Sequence, residues 1–219
     1  CVFYLDTLDA DNVGGVAVTK GEGFIGEANA EILSSKFGVG NSNFRTTDKS
    51  GYVDTVPFGA FRREIFDKIG LFNTDLPRSE DNDFNSRIRA NGGKVYLSAD
   101  IRFTYFCRNT FSGLLGQAIK NGNALFLTIR KNPKAMSLRH YVPFLFVLSL
   151  IIMPILSIFL PVFRWMFLLE SCAYLSLDLF FSLFCGKLKT FPYKVVTYPL
   201  FHAVYGIGSI LGLFGVKLY

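Results

Sequence analysis

Three long apolar runs near the C-terminus constrain this chain more than any other feature. They are Val142 to Val162, Trp165 to Cys185 and Val195 to Val216. A hydrocarbon core about 30 Å thick is crossed by about 20 apolar residues in a helix, and each run meets that length. Tyr141, Trp165, Tyr193 and Tyr219 fall near the ends, where amphipathic aromatic rings favour the interface. Pro143, Pro154 and Pro161 would weaken a helix in water but are tolerated in a packed membrane bundle. Residues 141–219 therefore read as a transmembrane region of about three helices, and the chain as a multi-pass membrane protein.

The charges fall mostly before this region. The formal net charge is +6, but Arg130, Lys131, Lys134 and Arg139 sit immediately ahead of the first run, in a basic juxtamembrane segment spanning 131–140. There they meet anionic lipid head groups. No aromatic-interleaved basic patch occurs elsewhere, which argues against nucleic acid as a partner. The loop Gly186–Lys194 carries Lys187, Lys189 and Lys194, whereas the loop between the first two runs carries only Arg164. The positive-inside rule then places the soluble part and the second loop on the cytoplasmic side of the plasma (inner) membrane. Glu170, Asp178 and His202 lie within the runs. Such groups are costly at membrane depth. The simplest expectation is that Glu170 snorkels to the interface while Asp178 pairs with His202 or a hydroxyl.

Cys1, Cys107, Cys172 and Cys185 show no paired spacing, which disfavours a disulfide framework or a zinc site. The chain opens at Cys1, inside what reads as a helix, so it is expected to be part of a longer protein.

In residues 1–130 helical and strand patterns alternate. Val2–Leu8 reads as the end of a helix, Asn12–Thr19 as a strand and Glu27–Ser35 as helical. Phe37–Arg45 reads as a Gly- and Asn-rich loop, Val53–Phe58 as a strand and Arg62–Ile69 as a helix closed by Gly70. A helix over Glu80–Asn91 has Ser79 as its expected N-cap. Lys94–Phe106 reads as one or two strands, and the helix Phe111–Arg130 leads to the membrane. The fold class is α/β, followed by an α-helical transmembrane region.

The stretch from Ser79 to Arg87 puts Glu80, Asp81 and Asp83 into one helical turn. Acidic residues at a helix N-terminus ordinarily complement its dipole, for a fraction of a kcal/mol each. Phe84 and Ile88, four apart, mark the inward face. Asp81, three before Phe84, falls near that face at the top of the helix, where a carboxylate can accept a proton from a substrate hydroxyl. Neither His140 nor His202 has the neighbours of a triad or a metal cluster.

The order and spacing of several pieces are specific in combination. They run from Asp54-Thr-Val-Pro-Phe-Gly-Ala-Phe through Ile69-Gly-Leu-Phe-Asn and Glu80-Asp81 to Arg87-Ile-Arg-Ala-Asn-Gly-Gly. Asn12-Val-Gly-Gly and Phe37-Gly-Val-Gly-Asn precede them, and Ser137-Leu-Arg-His follows. Together they resemble the acceptor-side half of family 2 (GT-A fold, Rossmann-like) glycosyltransferases, of the membrane-bound bacterial type that builds exopolysaccharides such as succinoglycan.

The resemblance implies that Asp81 is the catalytic base of an inverting displacement and that Glu80 supports it. The substrates would be a nucleotide-sugar donor and a glycan or polyprenyl-linked acceptor, with proteins of a polysaccharide-synthesis complex as further partners. Membrane-bound members carry a Gln-x-x-Arg-Trp motif after the base. Here Gln117 is retained, Lys120 stands for Arg and Asn121 for Trp, so Gln117 and Lys120 are the implied substrate-binding residues. The family's Mg²⁺ or Mn²⁺ sits on an Asp-x-Asp motif. Asp9-Ala-Asp11 lies too close to Gly14-Gly15 to be that motif, so the metal ligands and donor half are expected upstream of Cys1. The rival readings are a glycolipid or polyprenyl-phosphate sugar synthase, and a non-catalytic assembly partner that kept the fold without donor binding.

Overall fold

Gly14 and Gly15 decide how the sheet is built. A Cβ on Gly14 would lie 2.6 Å from Cβ of Val56, and one on Gly15 would run into the backbone carbonyl of Ile101. Only bare backbone lets two neighbouring segments cross here. The computed structural model describes Cys1–Tyr219. Its elements in chain order are α1 (Val2–Thr7), β1 (Asn12–Lys20), α2 (Gly23–Ser34), α3 (Lys36–Val39), α4 (Asn43–Thr46), β2 (Gly51–Tyr52), β3 (Ala60–Phe61) and α5 (Arg63–Ile69). There follow α6 (Glu80–Ala90), β4 (Val95–Phe106), α7 (Phe111–Lys131), α8 (Val142–Phe159), α9 (Pro161–Phe184) and α10 (Phe191–Leu213).

The sheet has the order β2-β4-β1-β3. β1 and β4 run parallel from Asn12 opposite Val95 to Lys20 opposite Phe106, with a register shift after Gly15. The short outer strands are antiparallel to them. Phe84 and Ile88 of α6 are fully buried against Val16, Val56, Ile65, Val95 and Leu97, as their four-residue spacing requires. Phe84 also stacks on Phe72, with ring centroids 4.4 Å apart.

A second core joins the α/β part to the membrane region. Ile32 and Leu33 of α2, Leu114 and Ala118 of α7, and Tyr198 and Phe201 of α10 form one buried cluster. α7 and α10 approach until backbone meets backbone. A side chain on Gly122 would collide with the carbonyl of Tyr205, and one on Gly208 with that of Ile119. Small residues at the crossing permit this close backbone approach. Buried Asn123 fastens the crossing, donating to the Val216 carbonyl at 2.8 Å and accepting from the Leu218 amide at 3.1 Å.

Three helices, Leu138–Phe159, Pro161–Phe184 and Leu188–Leu213, are long and apolar enough to cross a membrane. Their limits differ from the expected ones by a few residues. Pro161 opens α9 at a position where its missing N–H costs nothing, so the second helix begins before Trp165. The third begins at Phe191 because its first turns pack on the α/β part.

Local expectations also shift. Phe37–Arg45 is not a plain loop but folds into the single-turn helices α3 and α4. Val53–Phe58 is not a strand. Pro57 offers no amide and Phe58 has φ +52°, so pairing is confined to β2 and β3 on either side. The Asn85 amide instead donates to Thr55 Oγ1 at 2.9 Å and to the Val56 carbonyl at 3.1 Å. Glu170 accepts from Ser149 Oγ at 2.6 Å across α8 and α9, rather than reaching for the interface. Asp178 pairs with the Ser182 hydroxyl, while His202 bonds Tyr174.

Lys194 is wholly buried and pairs at 2.9 Å with Glu31 of α2. Deleting one partner of a buried ion pair leaves an uncompensated charge, at a cost of about 3–5 kcal/mol. Glu31→Leu should therefore unfold at markedly lower denaturant in detergent micelles, and adding Lys194→Met should restore most of the loss. A single variant as stable as the native chain would refute a structural role for the pair.

Candidate functional site

The first turn of α6 opens on a strained residue. Ser79 takes the N-cap position but has φ +66° and ψ 20°, in the left-handed region, and its hydroxyl caps nothing. The expected capping bond is therefore absent. A non-glycine residue held there stores on the order of 1 kcal/mol, a cost tolerated mainly where function fixes the backbone. Of the three carboxylates that follow, Asp83 is structural. It is buried, and its two oxygens take Arg87 Nε at 3.0 Å and Asn132 Nδ2 at 2.8 Å. Glu80 and Asp81 instead line a cavity of about 840 Å³.

Burial, and secondarily the charge of neighbouring Glu80, push the Asp81 carboxyl up to about 6, with no cation acting against the shift. A base in that range is mostly ionised at neutral pH, yet it holds a proton far better than an ordinary aspartate.

Gln117 lines the same cavity. Its Nε2 donates to the Tyr105 hydroxyl at 3.2 Å, while its Oε1 is buried without a partner. An orphaned buried acceptor costs about 1–3 kcal/mol, and a ligand hydroxyl would satisfy it. Lys120 is exposed and stands outside the cavity lining. The structure thus brings Glu80, Asp81 and Gln117 together and leaves Lys120 apart. Asn121, one residue further on, does line the cavity and accepts from Arg78 Nη1 at 2.7 Å.

Sequence reasoning missed the cavity's cations. Arg45 reaches in from α4, donating to Thr19 Oγ1 at 3.2 Å and lying 4.4 Å from the Tyr105 ring centroid. Burial lowers its pKa from the usual guanidinium value, although arginine remains charged. Arg139 also lines the cavity and pairs with Asp54 at 2.7 Å. The Arg45 signal lay in a segment read only as a loop, and Arg78 stands two residues before Glu80. The far wall comes from the apolar helices: Phe146, Tyr174, Leu177, Phe201, His202 and Tyr205. The cavity thus runs from paired carboxylates to the membrane-spanning bundle.

Asp9 and Asp11 take no part in it. Asp11 accepts from the Lys94 amide at 2.8 Å, and Asp9, at φ +49°, pairs with Lys94 at 3.7 Å. Both tie the start of β1 to that of β4. No group of three or more His, Cys, Asp and Glu side chains is arranged to hold a metal.

The structure is a mixed α/β domain joined to three membrane-length helices, with the Asp81 carboxyl in a cavity lined by both. Over 149 residues the chain is 29% identical to the dolichyl N-acetyl-alpha-D-glucosaminyl phosphate 3-beta-D-2,3-diacetamido-2,3-dideoxy-beta-D-glucuronosyltransferase of Methanococcus voltae. The match covers 68% of this chain and 46% of that protein, so the chain spans about half the length of this curated relative. No family model matches the chain, and no solved structure does so significantly. The similarity supports a glycosyltransferase family at that general level.

The raised Asp81 pKa makes a stability prediction. The folded value lies above the unfolded one, so ionising Asp81 opposes folding. That penalty is absent below about pH 4, grows up to about pH 6 and is complete above it. Partial exposure limits it to roughly 1–2 kcal/mol. Asp81→Asn should raise the Tm at about pH 7.5 and leave it unchanged near pH 3.5. An equal Tm at both pH values would show that Asp81 is not desolvated.

Proposed function

We propose that this chain carries the acceptor-side part of an inverting, family 2 (GT-A-type) glycosyltransferase. It moves a sugar from a nucleotide-sugar donor to a lipid-linked glycan acceptor at the cytoplasmic face of the plasma membrane. The observation that carries this reading is the single cavity joining Asp81 to the membrane helices. A soluble donor and a membrane-borne acceptor have to meet at such a boundary. The printed activity of the Methanococcus voltae protein, on a dolichyl-linked amino-sugar phosphate, supports a lipid-linked acceptor. The resemblance to exopolysaccharide enzymes supports a cell-surface glycan as the product.

Asp81 takes the proton from an acceptor hydroxyl while that oxygen bonds to the anomeric carbon of the donor sugar. The bond from that carbon to the nucleoside diphosphate breaks, the diphosphate leaves with the electron pair, and the configuration inverts. Glu80 raises the proton affinity of Asp81 through its charge. Gln117 Oε1, otherwise unpartnered, accepts a hydroxyl of the bound acceptor. Mg²⁺ or Mn²⁺ would offset the charge of the donor diphosphate from ligands outside these residues. The cytoplasmic placement draws on the lysine-rich loop after α9, whose Lys187 and Lys189 pair with Glu27 of the α/β part at 3.0 and 2.7 Å.

Membranes bearing the full-length protein, given labelled nucleotide sugars with Mg²⁺ or Mn²⁺, test the proposal. Asp81→Asn at equal abundance should lose about 10²–10⁴-fold in transfer, the range of general-base contributions. The native rate should climb with pH through about 6 and then level, because the base must be ionised to work. Undiminished transfer by Asp81→Asn would remove Asp81 from the mechanism. No transfer by the native protein with any donor would favour the non-catalytic assembly partner.

A further inference from the structure

Two cations in the cavity lack a carboxylate. Arg139 is neutralised by Asp54, but Arg78 bonds only the neutral Asn121 side chain and Arg45 only the Thr19 hydroxyl and an aromatic face. Glu80 and Asp81 line the same space without an ion pair to either. With Arg139 paired, Lys36, Arg45 and Arg78 against Glu80 and Asp81 still leave the lining with one positive charge in excess. Burial takes Arg45 largely out of water without a counter-charge, which is costly, and an anionic ligand shared with the half-buried Arg78 would remove that cost. Below these arginines the wall turns apolar through Val142, Phe146, Leu177 and Phe201, on the helices that are long enough to span a membrane. Charge above and hydrocarbon below describe an amphiphile with an anionic head.

We infer that Arg45 and Arg78 bind the phosphate of a polyprenyl-phosphate-linked acceptor, whose isoprenoid chain leaves along Phe146 and Leu177 between α8 and α9. The two arginines present separate donors to the phosphate oxygens, and guanidinium geometry favours such paired recognition. The first sugar beyond the phosphate then reaches towards Gln117 and Asp81. This assignment rests on the proposed lipid-linked acceptor. It adds the residues that recognise the carrier, and it places them on α4 and on the loop before α6 rather than on the basic juxtamembrane segment.

The same chemistry could serve a free or nucleotide phosphate, and a binding measurement separates the two. The protein in lipid nanodiscs is titrated with farnesyl phosphate, inorganic phosphate and farnesol, with no sugar donor present. Farnesyl phosphate should bind at least tenfold more tightly than either of the others. Arg78→Gln and Arg45→Gln should each weaken it about tenfold or more while leaving farnesol unchanged. Leu177→Trp, which fills the apolar exit and spares both arginines, should weaken farnesyl phosphate and farnesol alike. Thermal unfolding of each variant identifies any that fails to fold, and Arg78→Gln alters only a half-buried loop side chain. Equal binding of farnesyl and inorganic phosphate would overturn the lipid assignment. Unchanged farnesyl phosphate binding in a folded Arg78→Gln would overturn the arginine assignment. Neither result bears on sugar transfer. An active enzyme that ignores farnesyl phosphate would refute this site and leave the transferase reading intact.

Discussion

The buried pair between Glu31 and Lys194 fixes the relation between the two halves of the molecule. Lys194 sits in the first turn of a helix that is otherwise apolar enough to enter a bilayer, and it is fully shielded from solvent. Its Nζ also donates to the Cys185 carbonyl at 2.6 Å, and Glu31 further accepts from Thr190 Oγ1 and the Lys187 amide. Two of the three Lys194 donors and both Glu31 oxygens are thereby engaged, so the pair specifies a geometry instead of merely opposing folding. Tyr193 to Asn29 in the same turn, and Tyr198 to Ser35 one turn further along, repeat the link. The start of α10 is consequently part of the α/β core, and the glycine-lined crossing with α7 carries that rigidity further along the helix. The position of α6, with Asp81 at its tip, is thus set with respect to the membrane helices without a flexible linker.

That rigidity explains how a cavity can hold uncompensated charges of both signs. An arginine brought against Asp81 would stabilise its ionised form and make it a weaker base. Instead the arginines are held by neutral partners, Arg78 by Asn121 and Arg45 by Thr19. Asp81 is left with desolvation and a like charge, both of which strengthen it as a proton acceptor. Fixing such groups apart costs stability, and the left-handed Ser79 adds to that cost. The buried aromatic cluster around Phe84 and the α7–α10 packing offset it. A site prepared for charge that arrives only with the ligand has this arrangement.

Periodic features were legible in the sequence, and features made by three-dimensional convergence were not. The apolar runs, the strand through Gly14-Gly15 and the inward face of α6 follow from spacing within one segment, so they could be read. Ser79 followed the statistics of helix starts and misled, because no local rule signals a left-handed residue there. Val53–Phe58 looked like a strand by composition. Pro57 and the side chain of Asn85, thirty residues away from Thr55, decide otherwise. Asp81 and Gln117 are legible in the sequence, the first from its place on a helix and both from a family resemblance. Lys120 was carried over on the same resemblance and lies at the surface, with Asn121 taking the inward place. Arg45 and Arg78 belong to segments without periodicity, and only the fold brings them into the lining of the cavity that also holds Asp81.

The membrane helices differ in how they are held, and the difference bears on where a lipid can enter. In their most apolar stretches α8 and α9 bury 11% of residues against protein, whereas α10 buries 44%. α10 is therefore a structural strut, and α8 and α9 are the elements whose surfaces are left for lipid. These two are joined by stacking of Phe146 on Tyr174, with centroids 4.4 Å apart, and by the hydrogen bond from Ser149 to Glu170. Phe146 and Tyr174 are also cavity wall. The same contact that joins the hairpin is thus part of the cavity wall, and Tyr174 is tied on its other side to His202 of the strut at 2.8 Å. A hydrophobic chain passing between α8 and α9 has to displace one aromatic stack while the hydroxyl–imidazole bond keeps Tyr174 anchored. Entry from the membrane can then proceed without disturbing α10 or the carboxylates that depend on its position.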